Sequence, residues 1–342
     1  MVLPFGEAEF IDTSVRRGGD VWIGKFKRCL DRASSVTYAT NSSYLGDREL
    51  FAYGSSFAMG MAMLRARAYE LDCLQIAVSD EVEQNAPPIA GTIANRNLWQ
   101  RNNPGKRDII CIHALDTADE LSCEPNNLPY SSTVDAGQGS GRKVKAILFG
   151  DIKGFSHLDE DQLPTFWDIV IPMFSKVVEH FDPSALGNAD LNYVRLAEKK
   201  IEFCNTWGDG LFLVINNVAN AAELALRLQE AIRDHRHVFD AAGFPKDMAF
   251  RLGGHLGPVF EGPDPLLGKN NWYGSAVARA ARIEPITPPG EIYVTEPFAA
   301  ILALESGLDK YSCEYDGEIP TAKGYGNFRM YRLRRGKLAS KH

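Results

Sequence analysis

The sequence predicts an α+β fold, with a mostly antiparallel sheet and helices on one face, preceded by a small α/β N-terminal domain. Three observations carry this. Apolar runs short enough to be strands mix with helix-period segments, but without the regular βαβ repetition of a parallel sheet. Turn signals such as Asp-Gly join successive strands. A Gly- and Ser-rich stretch without bulky apolar residues, 131–141, interrupts the pattern as a linker does.

A chain of 342 residues suits two domains at ~100–200 residues each. We expect an N-terminal scaffold or regulatory domain over 1–130, a linker over 131–142 and a catalytic domain over 143–342. The 45% hydrophobic and 24% charged content is that of a folded globular chain. No apolar run approaches the ~18 residues of a membrane span, and the first twenty residues lack an apolar signal core, so the expected location is the cytoplasm, with no membrane partner. A net charge of −7 with no basic stripe argues against nucleic-acid binding. The six cysteines show no CxxC spacing and are expected as buried, reduced thiols.

In the N-terminal part, 48–70 reads as a helix with small residues on a packed face, 74–78 as a strand, 92–101 as a helix and 108–114 as a buried strand. That part carries no GxGxxG or Walker loop, so no ligand is assigned to it. Beyond the linker, 144–150 reads as a strand and 160–182 as a helix. The segments 201–205 and 211–215 form a strand pair, and 218–237 reads as an amphipathic helix. FRLGGH, the helix YGSAVARAARI, EIYVT, a short helix and a strand pair ending NFRMYRL complete the chain.

Two acids stand out. Asp151 closes the apolar run AILFG, and Gly154 beyond it lets the backbone turn tightly and present successive N–H groups to phosphate oxygens. In FCNTWGDGLFLVI the turn at Gly208, Asp209 and Gly210 puts Asp209 at a hairpin tip. Asp is also an ordinary turn residue. As a pair, however, both acids close apolar strands that can be neighbours in one sheet. Two carboxylates plus backbone carbonyls suit Mg²⁺ or Mn²⁺ held with a triphosphate.

FGDIKGF, WGDG, FRLGGHLGPVFEG and YGSAVARAARI followed by PGEIYVT occur in the order seen in class III nucleotidyl cyclases, and the chain resembles that family over about 143–333. The resemblance implies that Asp151, the carbonyl of Ile152 and Asp209 bind two divalent cations, Mn²⁺ or Mg²⁺. One would lower the pKa of the ribose 3′-hydroxyl and the other would grip the β- and γ-phosphates. It also implies that Arg282 is the transition-state arginine, reaching from the partner subunit of a homodimer with shared active sites. Arg251 and Lys323 would hold the terminal phosphates, and Phe149, Gly154 and Phe155 join the substrate-binding set. Without the resemblance, each of these cations also reads as an ordinary surface residue.

Two positions depart from the purine enzymes. The Lys or Glu that reads the base is Asn205, and the second reader, usually Asp, Thr or Cys, is Asn271. Asn both donates and accepts, so it can pair with an edge of uracil or cytosine. Trp207, Trp272 and Tyr273 crowd the same segments, and Phe149 shares a strand face with Asp151, which favours a smaller ring unless these aromatics serve packing. The combination resembles the pyrimidine cyclases of Pycsar phage-defence systems. That likeness implies UTP as substrate, cyclic UMP as product and a separate cyclic-nucleotide effector downstream, with CTP or ATP as alternatives. Ala278 stands where most of the family has an Asn that orients the ribose, which keeps a degenerate nucleotide-binding module as a second reading.

Overall fold

The structure, a computed structural model, describes residues 1–79, 91–103, 107–111, 141–182, 199–306 and 310–336. The chain divides into two compact units, Met1–Arg142 and Lys143–His342. Most of the expected linker, 131–140, and the end of the expected strand, 112–114, lie outside the described residues.

In the N-terminal unit, β1 (Val2–Leu3) pairs in parallel with β2 (Thr37–Tyr38), and α1 (Glu7–Phe10) and α2 (Asp20–Arg32) lie between them in the chain. Helix α3 (Glu49–Ala68) buries Leu50, Tyr53, Phe57 and Met61, a helical spacing that lines one face. Gly54 belongs to that face because a Cβ there would lie 2.9 Å from Pro4, so glycine lets the strand end rest directly on the helix. The strands β3 (Gln75–Ser79) and β4 (Arg107–Cys111) are parallel, with α4 (Thr92–Asn102) between them in sequence, which is the expected α/β character. Arg142, the last residue of the unit, is clamped by Asp47. Its Nε and Nη2 each donate to a carboxylate oxygen at 2.8 Å, and Nη2 also donates to the Ser43 carbonyl. Burial alone would push the Asp47 carboxyl up, but Arg142 overcomes it and holds it below its ordinary range. The expectation of buried thiols needs correction among the described residues, where Cys29 is exposed and Cys73, Cys204 and Cys313 are only partly buried.

The second unit is built from β5 (Lys143–Lys153), α5 (Leu163–Phe181), β6 (Ile201–Trp207), β7 (Gly210–Ile215), α6 (Val218–Asp234), α7 (Arg236–Ala241), β8 (Ala249–Asp264), β9 (Lys269–Tyr273), α8 (Ser275–Ile283), β10 (Ile292–Thr295), α9 (Glu296–Ser306), β11 (Tyr311–Pro320) and β12 (Asn327–Arg335). The sheet runs β11-β12-β10-β8-β5-β7-β6, with β9 hairpinned onto the far end of β8. Every pair is antiparallel except β8 with β10, which α8 connects as a crossover. The mostly antiparallel α+β architecture expected from the sequence is therefore present.

Alternation along β5 assigns the faces. Leu148 meets the side reached by Phe298 of α9, and Phe174 of α5 packs its ring 4.9 Å from Phe250 on that side. Ile147 and Phe149 point the other way, into a cluster with Phe203, Phe212, Trp272 and the alanines Ala276 and Ala280 of α8. Helices α5, α6 and α9 thus cover one face, and the short α8 covers part of the other. The amphipathic segment expected over 218–237 breaks at His235, whose ring Nδ1 lies 2.8 Å from the Ala231 carbonyl at the end of α6. Strand β5 runs three residues past Gly150, because β8 continues to pair with it as far as Lys153 opposite Ala249.

Candidate active site

The register of the sheet brings the two acids together. Pairing of β5 with β7 ends at Gly150 opposite Leu211, where β7 gives way to the turn at Gly208 and Asp209, so the hairpin tip comes beside Asp151. Both side chains are partly exposed. Burial first, and then the neighbouring Asp151 carboxylate, push the Asp209 carboxyl up to about 6, because two adjacent acids resist ionising together. Ile152 follows with its side chain 2% exposed on the opposite face. At Gly154 the backbone takes φ +94, a left-handed value that favours glycine, and it leads into the single turn Phe155–His157. The Phe155 ring packs on Phe166 at 4.9 Å and also lies beside Gly208, so this turn and the hairpin tip are neighbours.

Arg251 sits directly across from Asp151 on β8. Its Nη2 donates to Asp151 Oδ2 at 2.6 Å, and its Nε lies 2.5 Å from Glu284 Oε1. Glu284 opens the turn Glu284–Ile286 that follows α8. A Cβ on Gly253 would come within 2.5 Å of the Glu284 backbone nitrogen, so glycine there lets the end of α8 rest on β8. Burial pushes the Glu284 carboxyl up to about 7; Arg251 opposes this, and Asp151 and Asp209 reinforce it. Two carboxylates, Asp151 and Glu284, therefore pair with one guanidinium, whose charge Asp209 also feels. Among the described residues no three metal-binding side chains converge on one point. The donor set fits two carboxylates whose mutual repulsion a divalent cation would relieve, completed by carbonyl, water or substrate oxygens.

Opposed residues of antiparallel strands share a face, so Asn205, Phe212 and Phe149 form one row across β6, β7 and β5. The Phe149 and Phe212 rings stack at 4.6 Å, and Trp207, 52% exposed, lies 6.0 Å from Phe149. Its indole covers Gly210, where any Cβ would clash with it. The Asn205 carboxamide makes no hydrogen bond among the described residues. Asn271 differs, since its Nδ2 donates to Asp264 Oδ2 at 2.9 Å and its Oδ1 accepts from the Trp272 amide at 2.8 Å. Trp272 is 3% exposed and packs in the α8 cluster, so at this position the packing alternative describes its surroundings.

Arg282 lies at the end of α8 and has no hydrogen bond or ion pair among the described residues, whereas Arg279 covers the Phe328 ring at 4.7 Å. Ala278 is exposed. Lys323 is exposed in the turn Ala322–Gly324, which packs against α8, and it holds a left-handed φ of +60 that is strained for a side-chain-bearing residue. Neither Arg282 nor Lys323 bonds to Asp151, Asp209 or Arg251. The structure thus gathers Phe149, Asp151, Phe155, Asn205, Asp209 and Arg251 on or beside one surface, and leaves Arg282 and Lys323 on neighbouring elements without a link to the acids. Two residues of this surface had escaped notice in the sequence. Glu284 directly follows the segment that contains Arg282, which was the available signal. Lys269, two residues before Asn271, reaches to the Cys204 carbonyl at 3.2 Å, next to Asn205, and nothing local announced it.

Residues 141–335 match the family pattern described as the adenylate and guanylate cyclase catalytic domain. Among solved structures, the adenylyl cyclase CyaB from P. aeruginosa is similar at 16% identity and TM-score 0.45, over 57% of this chain and 96% of that one. The guanylate cyclase domain of RhGC from Catenaria anguillulae, in complex with GTP, gives 18% and 0.44 over 57% and 98%. The non-canonical dimeric guanylyl cyclase domain of the RhoGC fusion protein from Blastocladiella emersonii gives 16% and 0.43 over 57% and 99%. No curated protein sequence matches the chain.

Proposed function

Because the chain belongs to the adenylate and guanylate cyclase catalytic domain family, we propose that it cyclises a pyrimidine nucleoside triphosphate, UTP before CTP, to the 3′,5′-cyclic monophosphate and pyrophosphate. Asp151 and Asp209, with the Ile152 carbonyl, hold the cations. When bound, Mg²⁺ or Mn²⁺ lowers the pKa of the ribose 3′-hydroxyl and offsets charge on the phosphates. Arg251 neutralises terminal phosphate oxygens, as Lys323 does from its exposed turn. The turn at Gly154 and Phe155 offers backbone N–H groups beside the acids. The 3′-oxygen attacks the α-phosphorus in line, and pyrophosphate leaves.

The single observation that carries the base preference is Asn205. It occupies the base-reading position with an uncommitted carboxamide, on the row formed with the stacked Phe149 and Phe212 rings. An amide can meet the N3–H and O4 of uracil, whereas the charged Lys or Glu of purine readers is missing. Asn271, whose amide is engaged within its own hairpin, supports the base through shape and its remaining lone pair and hydrogen. Arg282 is unengaged within its own chain among the described residues, which suits a homodimer in which it completes the partner's site. A cytoplasmic enzyme of this kind would make cyclic UMP as a second messenger in phage defence, read by a separate effector. Among the described residues no helix is long and apolar enough to cross a membrane.

The exposed Ala278 favours one other reading, a domain that binds triphosphate without turning it over. Purified protein with Mn²⁺ and each of the four ribonucleoside triphosphates separates these readings. We expect cyclic UMP and pyrophosphate from UTP, with CTP slower. ATP or GTP outcompeting both pyrimidines refutes the base assignment, and tight binding without pyrophosphate release refutes the enzyme.

A further inference from the structure

Arg251 is held from two sides. One end of its guanidinium is bound to Asp151 Oδ2, an oxygen that a divalent cation also needs, and the other lies 2.5 Å from Glu284 Oε1. A cation and Arg251 therefore compete for Asp151. If Asp151 were the only counter-charge of Arg251, loading the metal would strand a partly buried guanidinium, 26% exposed, and that cost would be taken from metal affinity. Glu284 removes the conflict. Its side chain is 15% exposed, and its backbone is seated against Gly253, where no side chain fits, so its place does not depend on Asp151. At 2.5 Å the Arg251 contact with Glu284 is an ion pair, so charge anchors this end of the guanidinium.

We propose that Glu284 is a positioning residue that retains Arg251 when Asp151 turns to a divalent cation, so that metal loading frees one end of the guanidinium for the triphosphate. The proposal rests on Asp151 and Asp209 being the metal carboxylates. Glu284 itself stays outside the metal's ligand set. It sits two residues beyond Arg282, so the same short segment that presents the transition-state arginine also holds the phosphate-binding one.

A double-mutant cycle on the full chain tests this, reading Mn²⁺ affinity by calorimetry without nucleotide at about pH 8, above the Glu284 titration. Glu284→Gln leaves Arg251 committed to Asp151 and is expected to weaken Mn²⁺ binding about tenfold. In an Arg251→Gln background the same change is expected to weaken it less than about twofold, since no guanidinium remains to be held. In turnover, Glu284→Gln raises KM for the triphosphate more than it lowers kcat. If Glu284→Gln does not fold, Glu284→Asp, which keeps the charge one methylene short, carries the same cycle. Equal weakening in both backgrounds means a general field effect and overturns the proposal, as does no weakening in either. Wild-type protein that turns over no triphosphate overturns the cyclase reading while the Mn²⁺ cycle still decides Glu284, and wild-type protein that binds no Mn²⁺ overturns both.

Discussion

Glu223 on α6 shows how single side chains hold the catalytic unit together away from its site. Arg335 near the end of the last strand donates to Glu223 Oε2 at 2.8 Å and to Glu230 Oε1 at 2.8 Å, about two helical turns apart, and Arg227 and Tyr311 also bond Glu223. Burial would raise the Glu223 carboxyl, but these donors prevail and hold it down at about 2. Its folded value lies below the ordinary 4.5, so the folded state binds fewer protons than the unfolded chain between those values. The stabilisation is therefore complete above pH 4.5 and is lost as pH falls through about 2. Because Arg335 is 40% exposed, the full shift is discounted to on the order of 2 kcal/mol. Denaturant unfolding followed from neutral pH into acid should show wild-type protein losing that amount relative to Glu223→Gln. Parallel curves for the two proteins would remove this account.

At the scale of elements, the position of the site depends on how closely β5 and β8 pack beneath it. Gly150 precedes Asp151 and faces α5, where a Cβ would lie 2.4 Å from the Phe250 ring and 2.9 Å from Leu252. Phe250 is fully buried against Phe174, so it has little room to yield. Gly150→Ala is expected to destabilise the protein by about 1–3 kcal/mol, the usual cost of overpacking, measured as a lowered urea midpoint with an unchanged slope. An unchanged midpoint would mean that the ring moves aside freely. The same tight layer explains why β8 carries glycines at 253 and 254, since one seats the end of α8 and the other admits Val294, Leu148 and Phe298.

For the whole molecule, the central expectation is that one chain cannot complete a site. Asp151, Asp209 and Arg251 converge, whereas Arg282 and Lys323 of the same chain bond to none of them. If sites are shared across a two-fold axis, Asp151→Asn and Arg282→Ala should each be inactive alone. Mixed and re-equilibrated, they should recover roughly a quarter of wild-type activity, because half of the dimers are hybrids and each hybrid has one intact site. Activity that stays absent after mixing, with hybrid dimers demonstrated by mass, would contradict a shared site.

Local patterns in the sequence were enough for the α+β class, the helices at 49–68, 163–181 and 218–234, and the candidate acids, because amphipathic periods, glycine turns and strand ends are encoded within a few residues. What they left undecided was long-range. Strand β5 passes Asp151 only because β8, a hundred residues later in the chain, keeps pairing with it. Asn205 and Asn271 look alike in sequence, yet one amide is uncommitted and the other is engaged by Asp264, and Trp272 lies in the core while Trp207 is open. Glu284 acquired its meaning only when sheet register set Arg251 beside Asp151 and the close approach at Gly253 brought the end of α8 onto both. The sequence by itself determined which residues could do chemistry, since residue type and local backbone are written there. The tertiary structure decided which of them share a charge, because hydrogen-bond partners and burial are set by strands that meet only after folding.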